Sequence, residues 1–183
     1  MKRLFLLFIG MLIAATAVAD GGRYLEKDAF LGAAFTKSQP EKDTLWVNDE
    51  LRTSIEAVLG HRFALMRVHY WHDGVSTAWI LEEKGKEEPI MIGVSIENGT
   101  IGMVRVLEFR ESRGWEVRYP FFTDQFSGAR LKRDRSIDKH IDGITGATLS
   151  VAAVSRVVQL ALFLHAETGV RGSYEEIRSA STS

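Results

Sequence analysis

The pattern of apolar and polar positions predicts two short helices at the start of the globular part of the chain. Apolar residues recur at helical spacing within residues 21–35, which predicts the first helix. The second helix has its apolar positions at Leu51, Ile55, Val58 and Leu59. Asn48 can cap this helix at its start and Gly60 can end it. The polar, charged stretch between them, residues 36–44, predicts a loop.

The pattern then changes to strands joined by short turns. Strand-like runs cover residues 62–71, 75–82, 89–96 and 101–110. Asp73-Gly74 separates the first two runs and Asn98-Gly99 separates the last two. Both dipeptides favour tight hairpins, because these turns require positive φ. Lys84-Gly85-Lys86 predicts a third, looser connection. Four consecutive strands with short turns predict an antiparallel meander.

The remaining pattern predicts an irregular region followed by one long helix. Residues 114–130 are rich in aromatics, and residues 131–140 form a charged loop. Residues 148–165 predict the longest helix, with a narrow polar stripe at Ser155, Arg156 and Gln159. A helix that is apolar on most of its circumference is mostly buried. The predicted fold class is therefore α+β, an antiparallel meander sheet packed against helices.

The first residues have the form of a secretory signal. A basic Met1-Lys2-Arg3 precedes an apolar run, and Ala17-Val18-Ala19 has the A-x-A form of a signal-peptidase site. An uncleaved anchor is the alternative, but the 15 residues from Leu4 to Val18 fall short of the ~20 that span a bilayer. The predicted division is a signal peptide over residues 1–19, an N-terminal helical segment over 20–61, the main domain over 62–171 and a tail over 172–183.

Charge and cysteine content exclude several kinds of chemistry. The 23 basic residues of the whole chain become 21 without Lys2 and Arg3, against 24 acidic residues, so the processed chain has a net charge of −3. That balance gives no support to nucleic-acid binding. The chain has no cysteine, which excludes disulfides, thiol chemistry and iron–sulfur ligation. A redox role would require a bound cofactor.

The segment that carries the most chemistry is Asp142-Gly143-Ile144-Thr145-Gly146-Ala147-Thr148, which leads into the long helix. The start of a helix offers free N–H groups and the positive end of the helix dipole, so it can hold a phosphate. Gly146 would let a ligand approach the backbone, and the Thr148 hydroxyl could bond it covalently. With Thr145 as N-cap, Gly146, Ala147 and Thr148 would occupy the first turn. A merely structural capped helix with a tight glycine turn is the alternative.

This run resembles the flavinylation motif Asp-Gly-x-(Ser/Thr)-Gly-Ala-(Thr/Ser) of the FMN-binding domain family. That family includes extracytoplasmic subunits of the Rnf and sodium-pumping quinone reductase complexes. The resemblance implies that Thr148 carries FMN through a phosphoester bond. Residues 110–114 are similar to the family's Glu-Thr-Pro-Gly segment beside the flavin, with Ser112 and Arg113 in place of Thr and Pro. Residues 125–128 resemble its Gln-Phe-x-Gly stretch.

The cofactor-binding residues implied by the resemblance are Asp142, Gly143, Thr145, Gly146, Ala147, Thr148, Leu149, Glu111 and Ser112. Asp142 has two possible roles. It could assist the attachment step, as a base or as a ligand to the attaching enzyme's metal, or it could form an Asx-turn that fixes the loop. Aromatic candidates for a wall beside the flavin ring are Trp115, Tyr119, Phe121, Phe122 and Phe126, although such residues more often pack in a core.

Histidines give weaker signals than this motif. His69 and His72 lie three residues apart on a predicted strand, where their side chains point to opposite faces, so a solvated turn histidine is favoured over a metal site. His140 could pair with Thr148 as in a hydrolase, but no nucleophile elbow accompanies it. No metal ligand and no catalytic residue is assigned.

The resemblance implies an exported protein of the periplasm that relays electrons between cell-envelope redox partners, such as a quinone-linked reductase and a cytochrome. A flavin transferase would attach the FMN from FAD with a divalent cation. The protein would be an electron carrier or a subunit of an oxidoreductase system rather than a stand-alone enzyme. The alternative is a non-redox binding or regulatory module that holds an anionic ligand at the same helix start. A third possibility is a subunit whose flavin is structural or senses redox state.

Overall fold

The computed structural model describes residues 22–170. The predicted signal peptide and the whole of the predicted tail lie outside these residues. In chain order the elements are α1 (Lys27–Ala34), β1 (Glu41–Trp46), α2 (Asp49–Leu59), β2 (Arg67–His72), β3 (Ser76–Lys84), β4 (Pro89–Glu97), β5 (Thr100–Glu108), a 3₁₀ turn (Trp115–Arg118), α3 (Pro120–Thr123), a second 3₁₀ turn (Asp124–Phe126) and α4 (Thr148–Glu167).

The five strands form one sheet in the order β1-β2-β3-β4-β5, and every neighbouring pair is antiparallel. The α+β fold with an antiparallel meander is therefore confirmed. The predicted loop over residues 36–44 is wrong from Glu41 onward, because these residues begin β1. This edge strand is mostly exposed and charged, and it pairs with β2 along its whole length. It lacks the apolar alternation by which a strand is identified in a sequence.

Strand β2 begins five residues later than predicted. Residues 62–66 form a loop whose carbonyl groups accept hydrogen bonds from the Arg52 guanidinium, at Phe63 and, over 3.3 Å, at Leu65. Beyond this loop β2 pairs with β3 only from Tyr70 to His72. The two strands therefore diverge toward the start of β2.

The helix cap, the helix end and the tight hairpin turn that the sequence predicts are confirmed. Asn48 Oδ1 accepts a hydrogen bond from the Leu51 N–H over 2.8 Å, and Gly60 ends α2 with a φ of 76°. Asn98 and Gly99 have φ values of 52° and 69° in the β4–β5 hairpin. Such caps depend on residues within one or two turns of chain, which is why the sequence predicts them.

The main core lies between the sheet and the helices α2 and α4. Helix α4 contributes Val154, Val157, Val158, Ala161 and Leu164, all of which are fully or almost fully buried. It is long and apolar enough to cross a membrane by length and composition, yet most of it is buried in this core. On the other face of the sheet, α1 packs through Phe30. The Phe30 ring lies so close to the backbone of Gly93 that a Cβ at that position would be 2.8 Å from it.

The antiparallel order gives the sheet two ends with different contents. Strands β1, β3 and β5 finish at one end, which we call the Lys84 end, where β2 and β4 begin. The opposite Ser76 end holds the last turn of α4, since the Thr77 hydroxyl accepts from Trp79 Nε1 and bonds His165 Nδ1, each over 2.9 Å. Helix α4 therefore begins at the Lys84 end.

Candidate functional site

A tight turn precedes the first residue of α4. The Ala147 N–H donates to the Ile144 carbonyl over 3.0 Å, and Gly146 has a φ of 83°. The helix begins at Thr148, with Ala147 as its N-cap and no side-chain cap. The prediction of Thr145 as the cap is therefore wrong. The left-handed conformation of Gly146 keeps this residue out of the helix, so Gly146 and Ala147 precede the first turn rather than form it.

The start of α4 leaves backbone donors available beside an exposed hydroxyl. The first N–H groups of a helix have no intrahelical acceptor, and no side chain caps them here. Thr148 and Leu149 are exposed, whereas Ser150 is buried. An anion on the Thr148 side chain would therefore meet the positive end of the helix dipole.

A cavity of about 550 Å³ lies over this helix start. Its lining residues are Lys86, Glu111, Ser112, Arg113, Gly146, Ala147, Thr148, Leu149 and Ser150. The structure thus brings two of the sequence segments together, residues 111–113 and residues 146–150. Asp142, Gly143 and Thr145 do not line the cavity. A volume of this size falls within the range of small-molecule sites.

Glu111 fixes one wall of the cavity. Its Oε1 atom accepts hydrogen bonds from the backbone N–H groups of Lys86, of Glu87 over 2.8 Å and of Glu88 over 3.2 Å. A Cβ at Gly85 would lie 2.5 Å from the same oxygen, so any other residue there would displace the Glu111 carboxylate. The Glu111 carboxylate is therefore bound to the β3–β4 turn, where it holds Lys86 at the edge of the cavity.

Gly114, next to the cavity-lining Arg113, lies very close to the start of α4. Its φ is 83°, and a Cβ there would lie 2.5 Å from Ser150 Oγ and 3.4 Å from Ala147 Cβ. The segment that follows β5 is thereby held against the first turn of the helix. Arg113 and Gly114 belong to the segment 110–114 that the family resemblance placed beside the flavin, whereas no motif indicated Lys86. Lys86 reaches the cavity because the β3–β4 turn packs against the segment after β5, and no local pattern predicts that contact.

Asp142 lies outside the cavity at the start of the motif. Its carboxylate is exposed and lies 3.4 Å from His140 Nε2, and its backbone N–H donates to Gln125 Oε1 over 2.7 Å. The Asx-turn considered for this residue is not formed. Gln125 instead ties the loop before α4 to the segment 125–128. The Asp142 side chain remains accessible to another protein.

The aromatic candidates divide into two groups. Phe122 and Phe126 are fully buried in the main core and contact each other edge-on, so they are not a wall of the cavity. Trp115, Tyr119 and Phe121 are exposed and lie near one another. The Arg118 guanidinium lies 5.4 Å from the Trp115 ring and 5.0 Å from the Tyr119 ring.

His69 and His72 lie in β2 and are half-buried. The sequence had instead favoured a solvated histidine in a turn. His69 Nδ1 lies 2.9 Å from the Thr44 hydroxyl, and His72 Nε2 lies 3.9 Å from Asp43. Both contacts join β2 to the edge strand β1. Within residues 22–170, no group of three or more His, Asp or Glu side chains could hold a metal ion.

A larger groove of about 830 Å³ lies where β2 and β3 diverge. Its lining includes Trp46, Phe63, Met66, Trp71, Ile80 and Leu160. None of the site residues predicted from the sequence borders it. The cavity over α4, although smaller, carries the hydroxyl, the helix N–H groups and two cationic side chains, and it is therefore the better candidate.

Comparison with known proteins gives one family. Residues 85–162 match the family model described as FMN-binding domain. This stretch runs from the β3–β4 turn to α4 and contains every residue that lines the cavity. A comparison with curated proteins gave no match.

Proposed function

We propose that this chain, whose residues 85–162 match the FMN-binding domain family, carries FMN covalently on Thr148 and relays electrons between redox partners in the cell envelope. FMN is the cofactor of this family, and the protein is a flavoprotein. The bond to Thr148, the carrier role and the periplasmic location are the proposal. The observation that carries it is the exposed Thr148 hydroxyl at an uncapped helix start inside a cavity.

The residues of the cavity fit a flavin phosphate. Lys86 and Arg113 line it with positive charge, and the first N–H groups of α4 add donors on the same side. No atom lies within 4 Å of a Cβ built at Gly146, so the backbone before Thr148 is open to a ligand. These groups would hold the phosphate. Bound flavin supplies the ability to accept two electrons and release them singly.

Thr148 is the best of the three hydroxyl residues in the motif for attachment. Thr145 is exposed but does not line the cavity, and Ser150 lines it with its side chain buried against Gly114. Thr148 combines exposure, a place in the cavity and the first position of the helix. A flavin transferase could therefore reach its Oγ atom without unfolding the helix.

The proposed attachment exchanges the phosphoanhydride bond of FAD for a phosphate ester on Thr148. The Thr148 oxygen forms a bond to the FMN phosphorus of FAD, the pyrophosphate bond breaks and AMP leaves, and the hydroxyl proton passes to a base. Asp142 is accessible for that role or for binding the transferase's divalent cation, because its carboxylate is exposed. The transferase would act before the protein meets its redox partners.

In-gel flavin fluorescence tests the proposal. The chain is co-expressed with a flavin transferase, denatured and separated, and its fluorescence under ultraviolet light is compared among variants. We expect a fluorescent band that disappears in Thr148→Ala, remains in Thr148→Ser at reduced intensity, and remains in Thr145→Ala and Ser150→Ala. A band that survives Thr148→Ala would contradict the assignment. Fluorescence in none of the proteins would favour a module that holds an anionic ligand without a covalent bond.

A further inference from the structure

Exposed apolar side chains are concentrated at the Lys84 end of the domain. Residues 22–170 contain nine large apolar side chains that are exposed. Seven of them lie at this end: Tyr24, Trp46, Leu65, Met66, Trp115, Tyr119 and Leu149. Phe121 neighbours Tyr119, and Val75 lies at the Ser76 end. A clustered apolar surface of this kind usually binds something.

The first cluster lies at the β1 edge. Trp46, Leu65 and Met66 are 57–66% exposed, and the Val47 N–H donates to the Met66 carbonyl over 3.0 Å, which holds the two segments together. Arginines accompany these side chains. Arg67 lies 5.9 Å from the Trp46 ring, and Arg52 Nη2 lies 3.5 Å from Met66 Sδ.

The second cluster lies at the β5 edge, beside the start of α4. The Arg118 guanidinium lies over the rings of Tyr24, at 4.2 Å, and of Trp115 and Tyr119. Leu149, next to Thr148, is 52% exposed. Tryptophan, tyrosine and arginine are the side chains that favour the interface between lipid and water, where rings contact acyl chains and charges reach the headgroups.

The two clusters are separated by the width of the sheet. Four strand spacings of ~4.8 Å place the β1 and β5 edges about 19 Å apart. The surface between them carries basic side chains at Lys84, Lys86, Arg110 and Arg113 and acidic side chains at Glu82, Glu87, Glu88, Glu108 and Glu111. Glu111 is occupied by backbone N–H groups, and Glu108 pairs with Arg110. A broad surface with an apolar cluster on each side suits a flat partner better than a partner that inserts a single side chain.

The direction of the chain points to the same partner. The Gly22 carbonyl accepts from the Phe109 N–H over 2.8 Å, so the domain begins at the Lys84 end. The apolar run from Leu4 to Ile13 precedes it in the sequence. In the alternative form that keeps this run as an uncleaved anchor, the domain would leave the bilayer with this end toward the lipid.

We propose that the Lys84 end binds the surface of a lipid bilayer through Trp46, Leu65 and Met66 on one side and the Arg118 cluster on the other. Thr148 lies at the same end, so the cavity would open toward the membrane, where a lipid-soluble electron donor could approach it. The lipid contact depends on the exposed side chains alone. It stands whether or not Thr148 carries FMN.

Tryptophan fluorescence tests the contact in whichever processed form cells export. This exported protein is purified and mixed with vesicles of phosphatidylglycerol and phosphatidylethanolamine. The acyl chains of these lipids carry bromine, which quenches the fluorescence of nearby tryptophan. We expect quenching that falls in Trp46→Phe and in Trp115→Phe. Trp79→Phe, which removes a fully buried ring, is expected to keep the quenching. Absence of quenching, or quenching that both Trp46→Phe and Trp115→Phe leave intact, overturns the proposal.

Vesicle flotation of the chain without its apolar N-terminal run gives a second measurement. Replacing Trp46, Leu65 and Met66 together by serine should lower partitioning into vesicles by at least about tenfold. The reason is that binding would no longer remove the apolar area of these three side chains from water. Val75→Ser, at the opposite end, is the matched control and should bind as the unchanged protein does. Equal partitioning of the triple variant overturns the proposal, as does capture by an envelope protein without any binding to lipid.

Discussion

A Cβ atom at Gly114 would lie 2.5 Å from Ser150 Oγ, so the segment after β5 approaches the first turn of α4 as closely as only glycine permits. This contact joins two segments that are 36 positions apart in the sequence. Arg113, which precedes Gly114, and Ser150 both line the cavity in which Thr148 is exposed. The contact therefore links the fold of the meander to the geometry of the proposed attachment site.

Gly114→Ala should destabilise the fold and reduce flavin attachment. The new Cβ would meet Ser150, and the φ of 83° adds strain, together worth roughly 1–3 kcal/mol. Denaturant unfolding gives the free energy. Gly32→Ala is the matched control, because no atom lies within 4 Å of its Cβ, its φ is not positive and it lies outside the motif. Equal loss in both variants would contradict the role of the Gly114 contact.

Gly146→Val should lower flavin attachment by straining the turn before α4. The expected reason is the φ of 83°, which a β-branched residue adopts poorly, and not crowding, since the space around the Cβ is open. Gly146→Asn should retain much more attachment, because asparagine tolerates this conformation. In-gel fluorescence compares the two proteins. Equal attachment in the valine and asparagine variants would exclude the conformational explanation.

Glu111→Gln should loosen the β3–β4 turn. A neutral amide oxygen accepts more weakly than a carboxylate, so we expect a loss of roughly 1–3 kcal/mol and faster amide exchange at Lys86, Glu87 and Glu88. Hydrogen exchange measures this directly. Glu88→Gln, an exposed carboxylate in the same turn, is expected to change little. Unchanged exchange in Glu111→Gln would show that the turn holds without the charge.

The stability of the domain should fall as the pH rises above the ordinary histidine value of 6.5. The hydrogen bond to the Arg62 carbonyl raises the pKa of His61, and the Glu83 carboxylate, 3.0 Å from Nε2, raises it further. Protonated His61 therefore stabilises the folded state below the unfolded pKa, and this contribution is lost as the pH passes through the raised pKa. Across this pH range, the free energy of unfolding should fall more steeply with pH in the native protein than in His61→Gln. Identical profiles would refute the assignment.

Features that depend on neighbouring residues could be predicted from the sequence. The Asn48 cap, the Gly60 stop and the Asn98-Gly99 hairpin all follow from backbone conformations set within a few residues. Helix α4 is equally clear, because its apolar positions cover most of its circumference. These elements fix the meander and place α4 against it.

Features that depend on pairing between distant segments could not be predicted. Strand β1 is polar and exists because β2 supplies its hydrogen bonds. The prediction of Thr145 as the cap is wrong because Gly146 adopts a left-handed conformation, which a residue in the first turn of a helix cannot have. The Ala147 N–H instead closes a turn on the Ile144 carbonyl, and the helix begins at Thr148. Lys86 reaches the cavity through the β3–β4 turn, so no local pattern predicts its place there.

Mass spectrometry of the peptide that contains Thr148 tests the central claim most directly. The protein is matured beside a flavin transferase, digested and fragmented. We expect this peptide to carry the mass of FMN less one water, localised on Thr148 and absent from Thr148→Ala. An unmodified Thr148 in protein that a competent transferase has processed, or the same added mass on Thr145 or Ser150, would contradict the account.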